Sequence, residues 1–81
     1  MTLLDGKRRS TYRVTDMKEP LDTERRLEAL GLTQGTPITI LNYKRRGAVI
    51  VKVRGTRFAM GREIAAGILV EEMESEGHTN E

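Results

Sequence analysis

From Ser10 to Val70 the chain alternates apolar and polar residues in short stretches, and a glycine stands at almost every break between them. This pattern leaves few folds open. An alternation of period two puts one face of a short strand against a core and the other in water, and stretches this short are not amphipathic helices. Val49, Val51 and Val53 alternate with Ile50, Lys52 and Arg54, the densest β-branched run in the chain. Ahead of it, Ile38 and Ile40 point inward on a strand over residues 36–43, with Pro37 near the start, where a missing N–H is tolerated. Lys44-Arg45-Arg46-Gly47 turns one strand into the next, and Gly55-Thr56 connects to Arg57-Phe58-Ala59-Met60, completing a hairpin. Residues 61–66 allow one helical or 3₁₀ turn, and Ile68-Leu69-Val70 returns as a last strand. Upstream, Tyr12 and Val14 share the inner face of a first strand over residues 10–16.

Between the first and second strands the period becomes helical. Asp22 or Thr23 is placed to cap a short helix running to Leu30, Leu27 and Leu30 form its apolar stripe, and Gly31 stands where a left-handed stop is easiest. Two turns of helix are marginal alone, so this one must be held by packing on strands. Five short strands, one early helix and turns at this spacing predict an all-β fold with one short helix: a small closed or partly open, SH3-like five-stranded barrel. The expected organisation is a flexible basic arm at 1–9, the barrel domain at 10–72 and a disordered acidic tail at 73–81.

At 81 residues there is room for one domain, which buries only about 60% of its unfolded surface. No cysteine is present, which excludes disulfides and thiolate metal sites and suits a reducing compartment. His78 is the single histidine and lies in the tail; with Glu71, Glu72, Glu74 and Glu76 it forms a set suited at most to loose cation binding. Ser10 and Ser75 have no base beside them, and Gly6-Lys7-Arg8 lacks the hydroxyl and upstream glycine of a phosphate loop. The chain is therefore expected to be no enzyme and to carry no cofactor. No apolar stretch follows the first charges as in a signal peptide, and no run is long enough to span a bilayer, so a cytoplasmic protein without membrane insertion is expected.

The net charge of +2 averages two unlike regions. Residues 1–70 hold all 14 basic side chains against seven acidic ones, whereas residues 71–81 hold five glutamates and no base. The basic residues cluster as Lys7-Arg8-Arg9, Arg25-Arg26 and Lys44-Arg45-Arg46. Such clusters fit solvated turns, an acidic protein partner or nucleic acid. For nucleic acid the aromatic supply is thin: Tyr12, Tyr43 and Phe58 only, with Tyr12 and Phe58 at core positions of the pattern.

The run Arg25-Arg26-Leu27-Glu28-Ala29-Leu30-Gly31-Leu32-Thr33-Gln34-Gly35-Thr36-Pro37-Ile38 resembles the signature of the FeoA family of ferrous iron transport proteins, in which an arginine-bearing helix ends in Leu-Gly-Leu/Met before a strand. Residues 48–70 resemble the family's hairpin and its closing segment, so the likeness covers about residues 10–72. The resemblance implies an SH3-like cytoplasmic accessory to FeoB, a membrane ferrous-iron permease with a cytosolic GTPase domain. It brings no catalytic or metal-ligand set. It also extends to the domain fused to metal-dependent repressors of the diphtheria-toxin-repressor type, but without a preceding helix-turn-helix region DNA reading of that kind is not expected.

The reading is thus a non-enzymatic module docking on the cytosolic region of a FeoB-type transporter. Arg25, Arg26 and Leu30 on the helix and Lys44, Arg45 and Arg46 on an adjoining turn are its expected contacts. The alternatives are a small-barrel nucleic-acid-binding protein using the basic body, and an iron chaperone using the tail, with transition metal ion binding.

Overall fold

The computed structural model describes residues 1–73. After a 3₁₀ turn at Leu3–Asp5, strand β1 (Ser10–Met17) leads into helix α1 (Leu21–Ala29). Then come β2 (Pro37–Tyr43), β3 (Val49–Val53), β4 (Thr56–Met60), the one-turn helix α2 (Arg62–Ala66) and β5 (Ile68–Glu72). All five strands are antiparallel in one sheet ordered β4-β3-β2-β1-β5. The sheet is rolled into an SH3-like small barrel that does not close: β4 and β5 are not hydrogen-bonded neighbours. The pairing shifts between Val14 and Asp16 on β1 and between Ile40 and Asn42 on β2. Irregularities of this kind bend a strand and increase its twist, which lets so few strands wrap a core.

The core is the set the alternation singles out, with additions. Tyr12, Val14, Ile38, Ile40, Val49, Val51 and Val53 are buried together with Met60, Ile68 and Val70. Leu27 of α1 and Leu32 just beyond it seal one end. These two leucines meet through the way the helix stops. Gly31 has a φ of +97°, its N–H donates to the Glu28 carbonyl, and the Leu32 N–H reaches back to the Leu27 carbonyl. That pair of bonds is a Schellman motif, which turns the chain so that the residue after the stop packs on the last inward side chain.

Three expectations need correction. Neither Asp22 nor Thr23 caps α1: the helix starts at Leu21 behind Pro20 with no side-chain cap bond, and the Asp22 carboxylate accepts the neighbouring Thr23 N–H at 2.8 Å. Proline there supplies a fixed φ and leaves one fewer orphan donor. Leu30 is not a core contact. It is the residue after the last helical turn and lies 40% exposed.

The third concerns residues 1–9, expected as a flexible arm. Leu3 is completely buried in the core. The Val70 N–H donates to the Met1 carbonyl at 2.9 Å, and Thr2 pairs with Leu69. Tyr12 and Tyr43 hold the rest: the Lys7 N–H donates to the Tyr12 hydroxyl at 2.9 Å, and the Tyr43 hydroxyl donates to the Gly6 carbonyl at 2.5 Å. The segment therefore covers the outer edge of β5 and plugs the barrel beside α2. The expected acidic tail from Glu74 onward, with His78, lies outside the described residues.

One carboxylate is tucked into this frame without a partner. Glu19, between β1 and α1, folds over Gly67 so closely that a Cβ at Gly67 would stand 2.7 Å from its Oε2. That oxygen is buried and accepts no hydrogen bond among the described residues. Desolvation by burial raises the Glu19 pKa above its ordinary value. The folded state then binds the proton more readily than the unfolded chain, so this group's contribution to stability is greatest below the unfolded pKa and declines as pH rises through the folded one. Glu19→Gln should accordingly raise Tm at neutral pH. The gain should shrink toward zero near pH 3, where the native carboxyl is itself protonated, as thermal melts at the two pH values will read.

Candidate functional site

The two halves of the expected contact set fall at opposite ends of the sheet. Lys44, Arg45 and Arg46 are exposed on the β2–β3 turn, closed by the Lys44 N–H to the Ala48 carbonyl and the Gly47 N–H to the Lys44 carbonyl. Their neighbours are the N-terminal segment, where Arg8 Nη1 reaches the Asn42 amide oxygen at 3.5 Å, and Arg62 of α2, which packs over Gly47. Arg25, Arg26 and Leu30 belong to the far end, since α1 leads into the start of β2 rather than its finish. A seven-residue strand separates the ends by about 20 Å. The turn therefore does not adjoin the helix, because β2 runs the length of the sheet between them.

What the helix end does adjoin is the tip of the β3–β4 hairpin. This is a two-residue turn, Val53 pairing with Thr56, and both central residues have positive φ, +52° at Arg54 and +84° at Gly55. That is the requirement of a type I′ turn, whose twist matches the flanking strands. Asparagine or glycine is the undemanding choice at the first position, whereas arginine there stands in a region few L-residues occupy. Its side chain is put to use: Arg54 Nε donates to the Gly31 carbonyl at 3.1 Å, tying the hairpin tip to the end of α1.

Opposite that tip, the loop between α1 and β2 folds into a tight turn. The Thr36 N–H donates to the Thr33 carbonyl, the Thr33 N–H donates to the Thr36 hydroxyl at 3.2 Å, and the two hydroxyls lie 2.8 Å apart. Gly35 takes the left-handed conformation the turn needs, with φ at +89°. Between this turn and the hairpin lies an open cleft of about 580 Å³. Thr33, Gln34, Gly35 and Thr36 form one wall, Pro37 and Thr39 the floor, and Lys52, Arg54 and Gly55 the other wall. No acidic side chain among the described residues lines it. Among the described residues, Lys52 enters no ion pair or side-chain hydrogen bond, and Arg54 engages only the Gly31 carbonyl.

The register extends this cationic wall. Thr11 pairs with Thr39, Thr39 with Lys52, and Lys52 with Arg57, so the four side chains form one outward-facing row across β1 to β4. Arg13 is balanced on β1 by Glu71 of β5 at 3.6 Å, both largely exposed. On the β3–β4 side the described residues provide Lys52 and Arg57 with no such partner. Lys52, Arg54 and Arg57 were not among the expected contacts. The signal that pointed to them was an arginine in the first position of a two-residue turn, beside a lysine at an outward position of the alternation.

The comparisons with known proteins bear on the whole body. The model of the FeoA domain matches residues 1–72. The chain belongs to the FeoA family. The match begins at the first residue, so the N-terminal segment is part of the FeoA body, in keeping with the burial of Leu3. The solution structure of the FeoA protein from Chlorobium tepidum is 31% identical, with 96% of this chain and 76% of that one covered and a TM-score of 0.86. A crystal structure of an iron uptake regulatory protein (FeoA) is 26% identical over 90% of this chain and 97% of that one, with a TM-score of 0.81. The manganese-activated repressor ScaR in its apo form is 27% identical over 90% of this chain but only 35% of its own length, with a TM-score of 0.79. No curated protein matches the chain.

The FeoA family is associated with ferrous iron transport. Among the described residues no three His, Cys, Asp or Glu side chains converge where they could hold a metal ion. No helix of the described residues is long and apolar enough to cross a membrane.

Proposed function

We propose that this FeoA-family chain is a non-enzymatic accessory protein of ferrous iron uptake, docking on the cytosolic region of a FeoB-type transporter to modulate or assemble it. The observation that carries the reading is the end of the barrel where α1 meets the β3–β4 hairpin. Arg25 and Arg26 are exposed on α1, Leu30 stands 40% exposed at its end, and the cationic cleft opens beside it. An exposed leucine rimmed by arginines suits a protein partner, since burial of the apolar side chain supplies affinity while the rim charges set encounter rate and register. Lys44, Arg45 and Arg46, about 20 Å away along β2, belong to the same proposal only as a second, separate contact.

The nucleic-acid reading finds less support. Tyr12 is buried, and Tyr43 and Phe58 are packed against the core, so no aromatic ring stands free as a stacking platform. Arg25→Glu combined with Arg26→Glu is the test. Both side chains are exposed and bonded to nothing among the described residues, so the fold should persist while capture of the transporter's cytosolic region is lost. Undiminished capture by the folded double variant would remove α1 from the interface.

A further inference from the structure

We propose that the cleft between the α1–β2 turn and the β3–β4 hairpin is the seat of an extended acidic peptide segment. Lys52, Arg54 and Arg57 would pair with its carboxylates, and the threonine wall would bond its backbone. The proposal rests on the docking reading above and specifies its chemistry: the segment a partner inserts here is acidic and extended.

Three observations lead to it. The first is charge. Among the described residues two cations and no acidic side chain line the cleft, and Arg57, in register with Lys52, continues the same outward row to the edge of the sheet. Cations brought this close repel one another, and an arriving carboxylate relieves that repulsion.

The second is shape. A volume of about 580 Å³ exceeds what one small anion fills and lies within the usual range for organic ligands. The site is also poorly built for a dianionic phosphate. Phosphates favour the N-terminus of a helix, whereas the helix end at this cleft is the C-terminus of α1, whose Gly31 carbonyl already draws Arg54 Nε. Single carboxylates spaced along a chain match dispersed cations better.

The third is the edge. Among the described residues β4 has a neighbour on one side only, and its pairing with β3 across a two-residue turn fixes which backbone groups face away. Val53–Thr56 is the closing bonded pair, so Arg57 and Ala59 direct their N–H and C=O groups outward. β5, the other edge strand, has its outer side covered by Met1 and Thr2. Among the described residues β4 is the edge left open, and it carries Arg57 beside Lys52 of β3. An extended segment can thus continue from the cleft along β4 by adding as a strand, with alternate side chains reaching Arg57 and Phe58, which is half-buried against the core. A second copy of this chain fits poorly, because pairing β4 with β4 would bring two sets of Lys52, Arg54 and Arg57 onto one face.

The experiment is a titration of the isotope-labelled full chain, followed by amide chemical shifts. The probe is the peptide acetyl-Glu-Val-Glu-Val-Glu-amide, with its glutamine counterpart and inorganic phosphate as further arms. The acidic peptide should shift amides at 33–36, 38–39 and 52–59, more weakly as salt is raised. Lys52→Glu with Arg57→Glu should weaken that binding roughly tenfold or more while leaving the spectrum dispersed. Arg54→Asn, which suits the left-handed turn, should weaken it without unravelling the hairpin.

Equal binding of the glutamine peptide would overturn the proposal. So would phosphate shifting the same amides with the same affinity, which would make the cleft a small-anion site. If Glu74→Gln, Glu76→Gln and Glu81→Gln together shifted the cleft amides without any ligand, the occupant would be the chain's own acidic segment and the partner proposal would fall. The two readings also fail separately. Capture of the transporter's cytosolic region without peptide binding would sink the cleft and keep the docking. Peptide binding without capture would do the reverse.

Discussion

Leu3→Ala is expected to cost about 2–5 kcal/mol of stability, the range for removing a fully buried leucine side chain. For a domain of this size that is a drop in Tm on the order of 10–30 °C. The side chain is completely buried, with Ile40, Tyr12 and the α2 region closing around the segment that carries it. Backbone ties at Met1 and Thr2 keep that segment from sliding to fill the space. A flexible arm would give no change at all, so one pair of thermal melts separates the two pictures. Leu3→Met, which nearly conserves the volume, should recover most of the loss.

Gly6→Val is expected to be the second most damaging change, at about 1–3 kcal/mol, for the opposite reason: too much volume rather than too little. A Cβ on Gly6 would meet Tyr12 Cε2 at 2.8 Å and would overlap the Ile40 Cδ1 methyl. Ile40 could turn its terminal methyl aside. The Tyr12 ring has less freedom, because its hydroxyl accepts the Lys7 N–H and its body is buried. Conformation is not the difficulty, since Gly6 has an ordinary φ of −81°. The matched control is Gly61→Ser, where an added Cβ meets nothing within 4 Å and φ is −70°. Urea titrations should place Gly61→Ser near the native midpoint and Gly6→Val well below it.

These two positions mark where the sequence was hard to read. The strands were legible because alternation is a local signal: Val49, Val51 and Val53 announce an inner face whatever their partners are. Gly31 was legible too, since a helix stop is decided within a few residues. Leu3 and Leu4 sit among Thr2, Asp5 and three basic residues with no period to betray a buried face. The arrival of α2 and β5, about sixty residues later, completes the pocket that holds Leu3.

Leu30 failed for a related reason. A spacing of three from Leu27 fits one helix face, yet the Schellman stop assigns the inward place to Leu32 instead. For the expected contact residues, exposure was legible and arrangement was not. Exposure of Arg25, Arg26 and the β2–β3 turn could be read from charge, but which clusters lie side by side depends on the direction of β2, and that is topology. Lys52, Arg54 and Arg57 come together only through strand register and a turn conformation.

The pairing of the chain's first residues with its last strand has a consequence for how the molecule comes into being. β1 lies between β2 and β5, and Met1 and Thr2 lie along β5's other side. Residues 1–3 therefore depend on residues 68–72, some 65 positions further along the sequence. Bringing such distant segments together costs loop-closure entropy before any contact repays it, and folds rich in such pairings form slowly. On the ribosome, β1, α1 and the β2–β4 meander can emerge and begin to associate, but Leu3 has no finished pocket until Ile68 to Glu72 has left the exit tunnel. Until then one side of β1 is an unpaired edge, so a chain halted short of β5 exposes the surface that the completed protein hides best.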